Sequence, residues 1–452
     1  MSVTIAEKAE KYDLRVPRYT SYPTSPHFLE TDNDKEYRQW LSNLDPKTGV
    51  SLYIHVPFCE SMCNFCGCYT KIVKRYDPVS DYLEYVHKEI DLLAATLPAR
   101  MTAKHVHWGG GSPTMLKADD WRSIIDKLKD LFDIDENSEL AVELDPRTAT
   151  EDYVQAIAEA GINRASIGVQ DFHEEVQIAI NRVQPFDVTK RVVEWLKKYG
   201  ITSINFDLLY GLPFQTTERV IDMVDKAVSL EPKRFAVFGY AHVPWMKSHM
   251  KLIPEEALPN ASERWEQMEA AAKRLEEHGF VKIGLDHYAK PDDEMTIAMN
   301  ETRLHRNFQG YTIDNNPVML PLGASSIGQT PDGYMANVQP LRDYRRMIDA
   351  GMLPIGRTRA LTSEDILRRA IIEQIMCNLK VDIPALCRQH GVAEDFFAAE
   401  EERLQTLVKD EICTLENGVL TLPEEGRPLM RLIAATFDTY LQQGQKKHSR
   451  AV

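Results

Sequence analysis

Between residues 51 and 240, short β-rich segments alternate regularly with longer segments of helical periodicity, and this alternation restricts the possible folds more than any other feature. Repeated strand–helix units favour parallel strands joined by right-handed crossovers, so an α/β fold is predicted, either a doubly wound sheet or an open barrel. The predicted strands are Ser51–Val56, Lys104–Trp108, Glu139–Leu144, Asn163–Val169, Ser203–Leu209 and Arg234–Tyr240. The predicted helices are Tyr82–Leu97, Asp120–Leu131, Asp152–Ala160, Thr189–Tyr199 and Glu218–Leu230.

The regions on either side of this α/β core have a different character. Residues 1–50 are predicted to form an irregular N-terminal arm, and 51–360 to form the core with its covering loops. Within that span, residues 291–360 have little periodicity and frequent Gly and Pro, so they are predicted to be loops. Residues 361–452 are predicted to form a small, mainly helical domain. Its expected elements are a helix over Glu364–Leu379, a hairpin over Ile412–Thr421 turning at Asn417-Gly418, and a closing helix to about Gln443.

Composition excludes several classes of protein. The chain has 53 Lys and Arg against 68 Asp and Glu, a net charge of −15, so general nucleic-acid binding is not expected. No segment approaches the roughly 20 apolar residues of a membrane span, and Met1–Lys11 lacks the apolar segment of a signal peptide. We therefore expect a soluble, cytoplasmic protein, and a monomer.

The seven cysteines are unevenly distributed. Cys377, Cys387 and Cys413 are scattered and are predicted to be buried apolar residues, whereas Cys59, Cys63, Cys66 and Cys68 fall within ten positions. Three thiolates spaced by four and then three residues can hold three corners of a cubane iron–sulfur cluster and leave one iron open to a substrate or cofactor. Structural zinc usually takes two separated ligand pairs, which weakens that alternative without removing it.

Other candidate site residues follow the predicted strands in the same way as Cys59. They are Gly109–Gly111, Glu143, Gln170, Asp207 and Ala241–His242. Ligands of α/β folds gather at the carboxyl ends of the strands, so these residues are expected to share one cavity. Glycines there permit close approach of a ligand to the backbone, although an ordinary strand-to-helix turn is the alternative. Glu143 could equally be solvated or paired with Arg147.

Several motifs together resemble the radical S-adenosylmethionine (SAM) enzymes and, among them, the family of oxygen-independent coproporphyrinogen III oxidases. Besides the Cys-x₃-Cys-x₂-Cys run, they are Pro17–Thr24, Gly67-Cys68, Trp108–Pro113, Glu143–Arg147, Ser166–Asp171, Asp207–Pro213, Gly284–Pro291 and Gly323–Gly328. The resemblance covers about residues 15–330 and implies an open partial (β/α)6 barrel of the radical SAM type. A related haem-chaperone family shares much of the barrel but usually lacks the Gly-Cys and the long N-terminal arm.

The resemblance also implies the chemistry. Cys59, Cys63 and Cys66 match the ligands of a [4Fe–4S] cluster whose fourth corner binds SAM, and a second SAM molecule is expected. One electron from the cluster would split SAM to an adenosyl radical, which takes hydrogen from a propionate of the reduced tetrapyrrole coproporphyrinogen III. Two rounds of hydrogen loss and decarboxylation would give protoporphyrinogen IX in haem biosynthesis. An electron donor and an electron acceptor, both unidentified, are also required.

By the same matching, residues are assigned to each ligand. The first SAM molecule would contact Tyr53, Gly110, Glu143, Ala241 and Ile327, and the second would contact Phe65, Gly111, Ser112, Gln170, Arg182 and Asp207. Tyr53 and His55 are candidates for moving protons or closing the site, although a packed structural histidine is equally consistent with the pattern. Cys68 would tune the cluster, donate hydrogen or shape the loop.

Two further assignments concern the substrate, and two rival functions remain. Arg18 and Lys290 are nominated to bind its carboxylates, although such side chains are often solvated. The first rival function is a haem carrier of the chaperone family, and the second is a zinc-stabilised interaction protein.

Overall fold

The computed structural model describes residues 11–12 and 16–443, apart from the side chains of 442 and 443. The predicted N-terminal arm therefore begins outside the described residues, as does most of Met1–Lys11. In the described part of the chain, no helix is both long enough and apolar enough to cross a membrane.

Six parallel strands form the centre of the protein, as the alternating pattern predicts. The short strand β1 (Leu29–Glu30) comes first in the chain. The six parallel strands are β2 (Val50–Val56), β5 (Ala103–Gly110), β6 (Glu139–Leu144), β7 (Arg164–Gln170), β8 (Ser203–Tyr210) and β9 (Arg234–Gly239). They lie side by side in that order and every neighbouring pair is parallel. Between β2 and β5 lie the two-residue strands β3 (Phe58–Cys59) and β4 (Lys71–Ile72). The α/β fold with an open barrel-like sheet is thus confirmed.

Alternation along these strands explains why the sheet encloses a polar interior. Leu140, Val142 and Leu144 of β6 are buried in the main apolar cluster, together with residues of the crossover helices. The intervening residues Glu139 and Glu143 belong to the opposite face. The first helices of the chain are α1 (Lys35–Ser42), α2 (Asp77–Thr96), α3 (Ala118–Leu131), α4 (Glu151–Ala160), α5 (Glu174–Ala179), α6 (Phe186–Lys198) and α7 (Thr217–Val228).

The prediction of loops over residues 291–360 is wrong, because this region extends the sheet on one side of β2. It contains β14 (Val318–Leu322), β15 (Ile327–Thr330), β16 (Gly333–Asn337) and β17 (Ile355–Ala360). β14 pairs parallel with β2 and the rest follow antiparallel. Every residue of β14 and β16 is buried, so their sequences lack the alternation that identifies a half-exposed strand. The remaining elements of the region and its flanks are α8 (Ala261–Glu277), β10 (Val281–Ile283), β11 (His287–Ala289), α9 (Glu294–Asn300), β12 (His305–Asn307), β13 (Gly310–Thr312) and α10 (Leu341–Asp349).

The last part of the described chain is mainly helical. Its elements are α11 (Ser363–Asn378), β18 (Lys380–Asp382), α12 (Ile383–Gln389), α13 (Ala398–Lys409), β19 (Thr414–Glu416), β20 (Val419–Thr421), α14 (Met430–Thr436) and α15 (Thr439–Gln443). The hairpin forms where predicted, whereas the closing helix is split into α14 and α15. These elements surround an apolar cluster that also contains Tyr19, Tyr22 and Trp265, so the N-terminal arm and α8 pack against them.

A buried carboxylate, Glu89, attaches the sheet extension to α2. It accepts hydrogen bonds from the backbone N–H of Gly323 (2.7 Å), Asn337 Nδ2 (2.7 Å) and Tyr344 OH (2.5 Å). On the same helix, the Tyr82 hydroxyl donates to the carbonyl of His55. The loop between β14 and β15 is therefore held directly against β2.

Burial raises the pKa of Glu89 to about 7, although its three donors oppose the shift. A carboxyl group whose pKa is higher in the folded than in the unfolded chain stabilises the fold below its ordinary pKa, near 4.5, and loses that contribution as pH rises toward 7. We expect thermal unfolding to show a decline of about 3 kcal/mol in stability between pH 4.5 and 7 from this residue. Glu89→Gln should remove this dependence, whereas Glu84→Gln, on the exposed face of α2, should retain it. An unchanged pH profile in Glu89→Gln would contradict the assignment.

Candidate active site

The cysteine loop leaves the barrel directly after β2 and returns beside its own start. β3 and β4 pair in parallel, with Cys59 opposite Ile72, and the backbone N–H of Val73 donates to the carbonyl of Cys59 at 3.0 Å. The base of the loop is therefore closed, and the chain between must turn back within a short distance. This places the cysteines at the carboxyl end of the first barrel strand.

Contacts from other parts of the barrel hold the loop in place. The backbone N–H of Asn64 donates to Ile180 O (2.8 Å), and Asn181 Nδ2 donates to Met62 O (2.7 Å). His249 Nε2 lies 2.8 Å from Cys66 O. Lys247 Nζ donates to Cys68 O at 3.2 Å. The loop is thus anchored to the chain after β7 and to the chain after β9.

The thiol groups face hydrogen-bond donors, as thiolate ligands require. Cys63 is buried, and its Sγ lies 3.4 Å from Arg147 Nη2 and 3.6 Å from Arg182 Nη1. Thr70 donates its hydroxyl to Cys59 Sγ at 3.3 Å. A hydrogen bond from Cys68 is the main cause that lowers the pKa of Cys66, to about 6. Positive charge and donated hydrogen bonds stabilise thiolates and the cluster they bind, so these residues fit an iron–sulfur cluster.

Asp145 balances the two arginines beside Cys63. It lies 2.6 Å from Arg147 Nη2 and 3.1 Å from Arg182 Nη1. Although burial opposes the shift, the charge of Arg182 and the contacts of Arg147 lower the pKa of Asp145 to about 2. Arg147 thus pairs with Asp145, and the alternative that it pairs with Glu143 is not observed. The contact between Arg147 and the thiol of Cys63 was not predicted, because the sequence does not reveal which strand end the cysteine loop faces.

No three Cys, His, Asp or Glu side chains within the described ranges are grouped so that they could hold a single metal ion. All seven cysteines are free thiols.

Glu143 and the glycines after β5 form a second part of the site. The carboxylate accepts from the backbone N–H of Gly110 (3.1 Å) and contacts His107 Nε2 (3.2 Å). Although burial opposes ionisation, these two contacts lower the pKa of Glu143 below its ordinary value. Gly110 has φ +118°, and a Cβ there would lie 2.6 Å from the ring of His55. Gly109 and Gly110 therefore leave a space that the Cβ atom of any other residue would fill, and we call this space the glycine cradle.

Tyr53 and His55 of β2 form a short hydrogen-bonded chain beside this cradle. Tyr53 OH lies 3.2 Å from His55 Nδ1, and His55 Nε2 lies 3.1 Å from Tyr69 O. Because a carbonyl only accepts, Nε2 carries the proton and the neutral ring accepts from Tyr53 at Nδ1. Burial lowers the pKa of His55, which favours this neutral form. Both ring nitrogens are thus engaged in contacts within the protein.

Three of the residues assigned to the second SAM molecule, Gln170, Asp207 and Arg182, lie on β7, on β8 and in the chain after β7. Arg182 Nη2 donates to Gly168 O at 2.7 Å, whereas its buried Nε has no hydrogen-bond partner in the described part of the chain. Asp207 accepts from Ser166 and Asn205, and burial followed by the charge of Glu143 raises its pKa to about 6. Gln170 has φ +68°, in the left-handed region. The unpartnered N–H of Arg182 and the half-buried carboxyl of Asp207 fit a ligand that carries both signs of charge.

The remaining predicted residues lie around this centre. Gly111 donates its N–H to Val56 O (2.9 Å), and Ser112 follows it as a buried residue. Ser326, immediately before Ile327, donates to Tyr53 O at 3.2 Å. Phe65 packs against a small apolar cluster that includes Leu209 and Tyr240. Ala241 follows β9 and lines a cavity there.

The two nominated substrate cations are in different surroundings. Arg18 lines the same cavity as Ala241, and its Nη2 donates to Gly239 O at 3.3 Å. Lys290 instead donates to His278 O and lies over the ring of Phe280, 3.8 Å from its centroid. The ammonium of Lys290 thus contacts the chain that follows α8, and its nomination as a substrate cation stays a prediction.

The barrel is parallel and lined with polar side chains, and at its mouth lies a cysteine loop surrounded by hydrogen-bond donors. These features define a radical SAM protein, and comparisons with known proteins agree. Residues 53–227 match the model of the radical SAM superfamily, and residues 361–429 match that of the HemN C-terminal domain. The solved coproporphyrinogen III oxidase (HemN) from Escherichia coli, described as a radical SAM enzyme, has a TM-score of 0.90 and 33% sequence identity. That match covers 94% of this chain and 100% of the other.

Curated relatives extend the match over the whole chain. The oxygen-independent coproporphyrinogen III oxidase of Bradyrhizobium diazoefficiens is 44% identical, covering 99% of this chain and 100% of the relative. The protein of the same name from Helicobacter pylori strain J99 is 37% identical, covering 99% of both chains. The chain belongs to the family of oxygen-independent coproporphyrinogen III oxidases.

Proposed function

We propose that this enzyme converts two propionate side chains of coproporphyrinogen III to vinyl groups, giving protoporphyrinogen IX for haem biosynthesis. Each propionate loses carbon dioxide, one hydrogen atom and one further electron, which a one-electron acceptor must take. The observation that carries the proposal is the cysteine loop, whose thiols meet Arg147, Arg182 and Thr70 at the mouth of a polar barrel. Membership of the oxidase family supplies the substrate.

Cys59, Cys63 and Cys66 would hold a [4Fe–4S] cluster, and two SAM molecules would bind beside it. When bound, these groups supply one-electron chemistry that can remove a hydrogen atom from an unactivated carbon. The protein residues then have to orient the reactants and exclude water. Arg147 and Arg182 would offset the negative charge of the thiolates, with Asp145 keeping the guanidinium groups in place.

The residues around the glycine cradle would position the first SAM molecule. Glu143, half-buried and ionised, would accept from its ammonium or ribose groups, while Gly110 lets the ligand reach the backbone. Tyr53, Ala241 and Ile327 would complete the contacts, and the neutral Tyr53–His55 pair offers a route by which a proton can shift. Cys68, which is exposed beside Cys66, is proposed to act on the substrate or to tune the cluster.

The second SAM molecule would use the opposite charges of Arg182 and Asp207. The unpartnered Nε–H of Arg182 can receive a carboxylate, and Asp207 can receive an ammonium group once ionised. Gln170 and Ser112 would add polar contacts, Gly111 a close backbone approach and Phe65 a flat apolar surface. Seven unpaired thiols are typical of a reducing compartment, so we infer that the enzyme works in the cytoplasm, as a monomer served by a separate electron donor.

An anaerobic incubation tests the function and separates it from haem transport. Purified, iron-reconstituted protein is mixed with a reductant, SAM and coproporphyrinogen III, and carbon dioxide and porphyrin masses are measured. We expect two molecules of carbon dioxide for each product molecule, and none when reductant or SAM is left out. Tight haem binding without carbon dioxide release would instead indicate a carrier, and material that contains only zinc would indicate the interaction protein.

A further inference from the structure

The motif Gly284–Pro291 places a carboxyl group and an imidazole on consecutive residues, with Asp286 Oδ1 2.7 Å from His287 Nδ1. Although burial opposes the shift, the charge of Arg306 and the contact with His287 hold the pKa of Asp286 well below its ordinary value. Because an ionised carboxylate only accepts hydrogen bonds, Nδ1 of His287 carries a proton. In the neutral ring, Nε2 is therefore a hydrogen-bond acceptor.

The register of the sheet places His287 on the interior face of the barrel. His287 of β11 pairs directly with Ala236 of β9, and Ala236 pairs with Asp207 of β8. The side chains of directly paired residues lie on the same face of a sheet. The imidazole therefore shares its face with Asp207, a residue of the proposed second SAM site, and one strand separates the two.

The neighbours of His287 fix the plane of its ring and leave Nε2 open. The rings of Phe238 and Tyr311 meet the imidazole edge-on, with centroid distances of 5.9 and 5.3 Å. Gly310 lies opposite the Cε1–Nε2 edge, where a Cβ would be 3.1 Å from both atoms. Nε2 accepts no hydrogen bond from the residues that the structure describes, and 11% of the side chain stays exposed. It is thus an acceptor that a bound molecule can still reach.

The surroundings of the imidazole fit a flat group that donates an N–H. Phe238 and Asp286 also line a cavity of about 310 Å³ beyond the carboxyl end of β9, and the rings of Tyr210 and Tyr240 belong to its wall. Aromatic walls favour a flat, aromatic ligand, and an open acceptor favours a donor. A pyrrole ring combines both properties, because it is flat and carries one N–H group.

We propose that His287, oriented by Asp286, accepts a hydrogen bond from a pyrrole N–H of the porphyrinogen, an inference that rests on the proposed function. In a porphyrinogen the carbons that bridge the pyrroles are saturated, so each ring can turn its N–H away from the centre of the macrocycle. In the oxidised, flat porphyrin the N–H groups point into that centre. The Asp286–His287 pair therefore selects the reduced tetrapyrrole over its oxidised form.

The same hydrogen bond assists the step in which the substrate loses an electron. The radical at the β-carbon of the propionate gives one electron to the acceptor, and the bond between the α-carbon and the carboxylate breaks. Carbon dioxide leaves as the vinyl double bond forms, and the pyrrole proton stays on its nitrogen. Positive charge that develops on the pyrrole makes its N–H a stronger donor, so an acceptor already oriented there stabilises the transition state more than the bound substrate.

Binding of the reduced and the oxidised tetrapyrrole tests the proposal. Anaerobic isothermal titration calorimetry gives the dissociation constants of coproporphyrinogen III and coproporphyrin III, which carry the same four propionates, and we expect the wild type to bind the porphyrinogen more tightly. His287→Asn keeps an amide near Asp286 but lacks Nε2, so it should weaken binding of the porphyrinogen alone, by roughly 10-fold. Its kcat should fall by roughly 10- to 100-fold. His287→Gln, whose amide oxygen can reach the position of Nε2, should recover part of both losses.

His278→Asn is the matched control. His278 Nε2 also lies 2.7 Å from a carboxylate, that of Asp225, but it follows α8 and contacts α7. This variant should bind both tetrapyrroles as the wild type does. In all three variants, the iron content and the rate of SAM cleavage without substrate should stay at the wild-type level.

Three results would overturn the inference alone. They are a wild type without preference for the porphyrinogen, unchanged porphyrinogen binding in His287→Asn, and equal losses for both tetrapyrroles in that variant. Equal losses would mean that the imidazole binds a carboxylate or only supports the fold. A wild-type enzyme that releases no carbon dioxide would overturn the proposed function instead, and the comparison of the two tetrapyrroles would still decide on His287.

Discussion

Replacing Cys63 with alanine is expected to abolish both iron loading and turnover. Its thiol is buried and contacts two guanidinium groups, so its loss removes an enclosed ligand from the site. Removing it leaves Arg147 and Arg182 facing an empty position with only Asp145 to balance them. Iron and sulfide analysis of the reconstituted protein, together with carbon dioxide release, measures the effect. Cys59→Ala and Cys66→Ala are expected to behave in the same way.

Cys387→Ala provides the control for this experiment. Cys387 is a buried thiol of α12, within the C-terminal apolar cluster and far along the chain from the cysteine loop. The variant should load iron normally and turn over at the wild-type rate. A Cys63→Ala protein with normal iron content and full activity would refute the assignment of Cys63 as a ligand. Cys68→Ala, by contrast, should still load iron.

Replacing Glu143 with glutamine should have the next largest effect, with SAM cleavage falling roughly 100- to 1000-fold. The substitution preserves shape but removes a half-buried charge that Gly110 and His107 hold in its ionised state. A cationic ammonium group placed there would then lack its counter-charge. The readouts are the dissociation constant of SAM and the rate at which reduced enzyme forms deoxyadenosine without substrate.

Glu139→Gln is the matched control for Glu143, since it removes a carboxylate from the same strand four residues earlier. Glu139 lies at the opposite end of β6 and pairs with Arg164 at 2.7 Å. It should lose stability but keep SAM affinity near the wild-type value. If the two variants bind SAM equally well, Glu143 does not contact the cofactor.

Much of the fold was predictable from the sequence because the alternation of strand-like and helix-like segments was clear. The six parallel strands form within one or two residues of their predicted limits, and the C-terminal hairpin turns at Asn417-Gly418 as expected. The prediction failed over residues 291–360, where β14 and β16 are buried on both faces. A strand buried on both faces has no alternation, and its Gly and Pro residues then indicate loops.

The candidate site was predictable only as a set of residue types. Cysteine spacing and strand-end positions predicted Cys59, Gly110 and Glu143 around one barrel mouth, and the structure places Gly110 in contact with Glu143. The contact of Arg147 with Cys63 was not predicted, because a charged side chain carries no local signal of the direction in which it points. Arg147 lies beside a thiol 84 positions away along the chain.

The sequence alone therefore determined the α/β class, the cysteine trio and the resemblance to the radical SAM oxidases, since these depend on spacing along the chain. Only the tertiary structure decided which groups surround each thiol, how the buried Glu89 holds the sheet extension against β2, and which cavity Arg18 lines. The physical reason is that charge pairing, burial and cavity shape depend on distances between residues far apart in sequence. Those distances are set by the packing of the whole barrel.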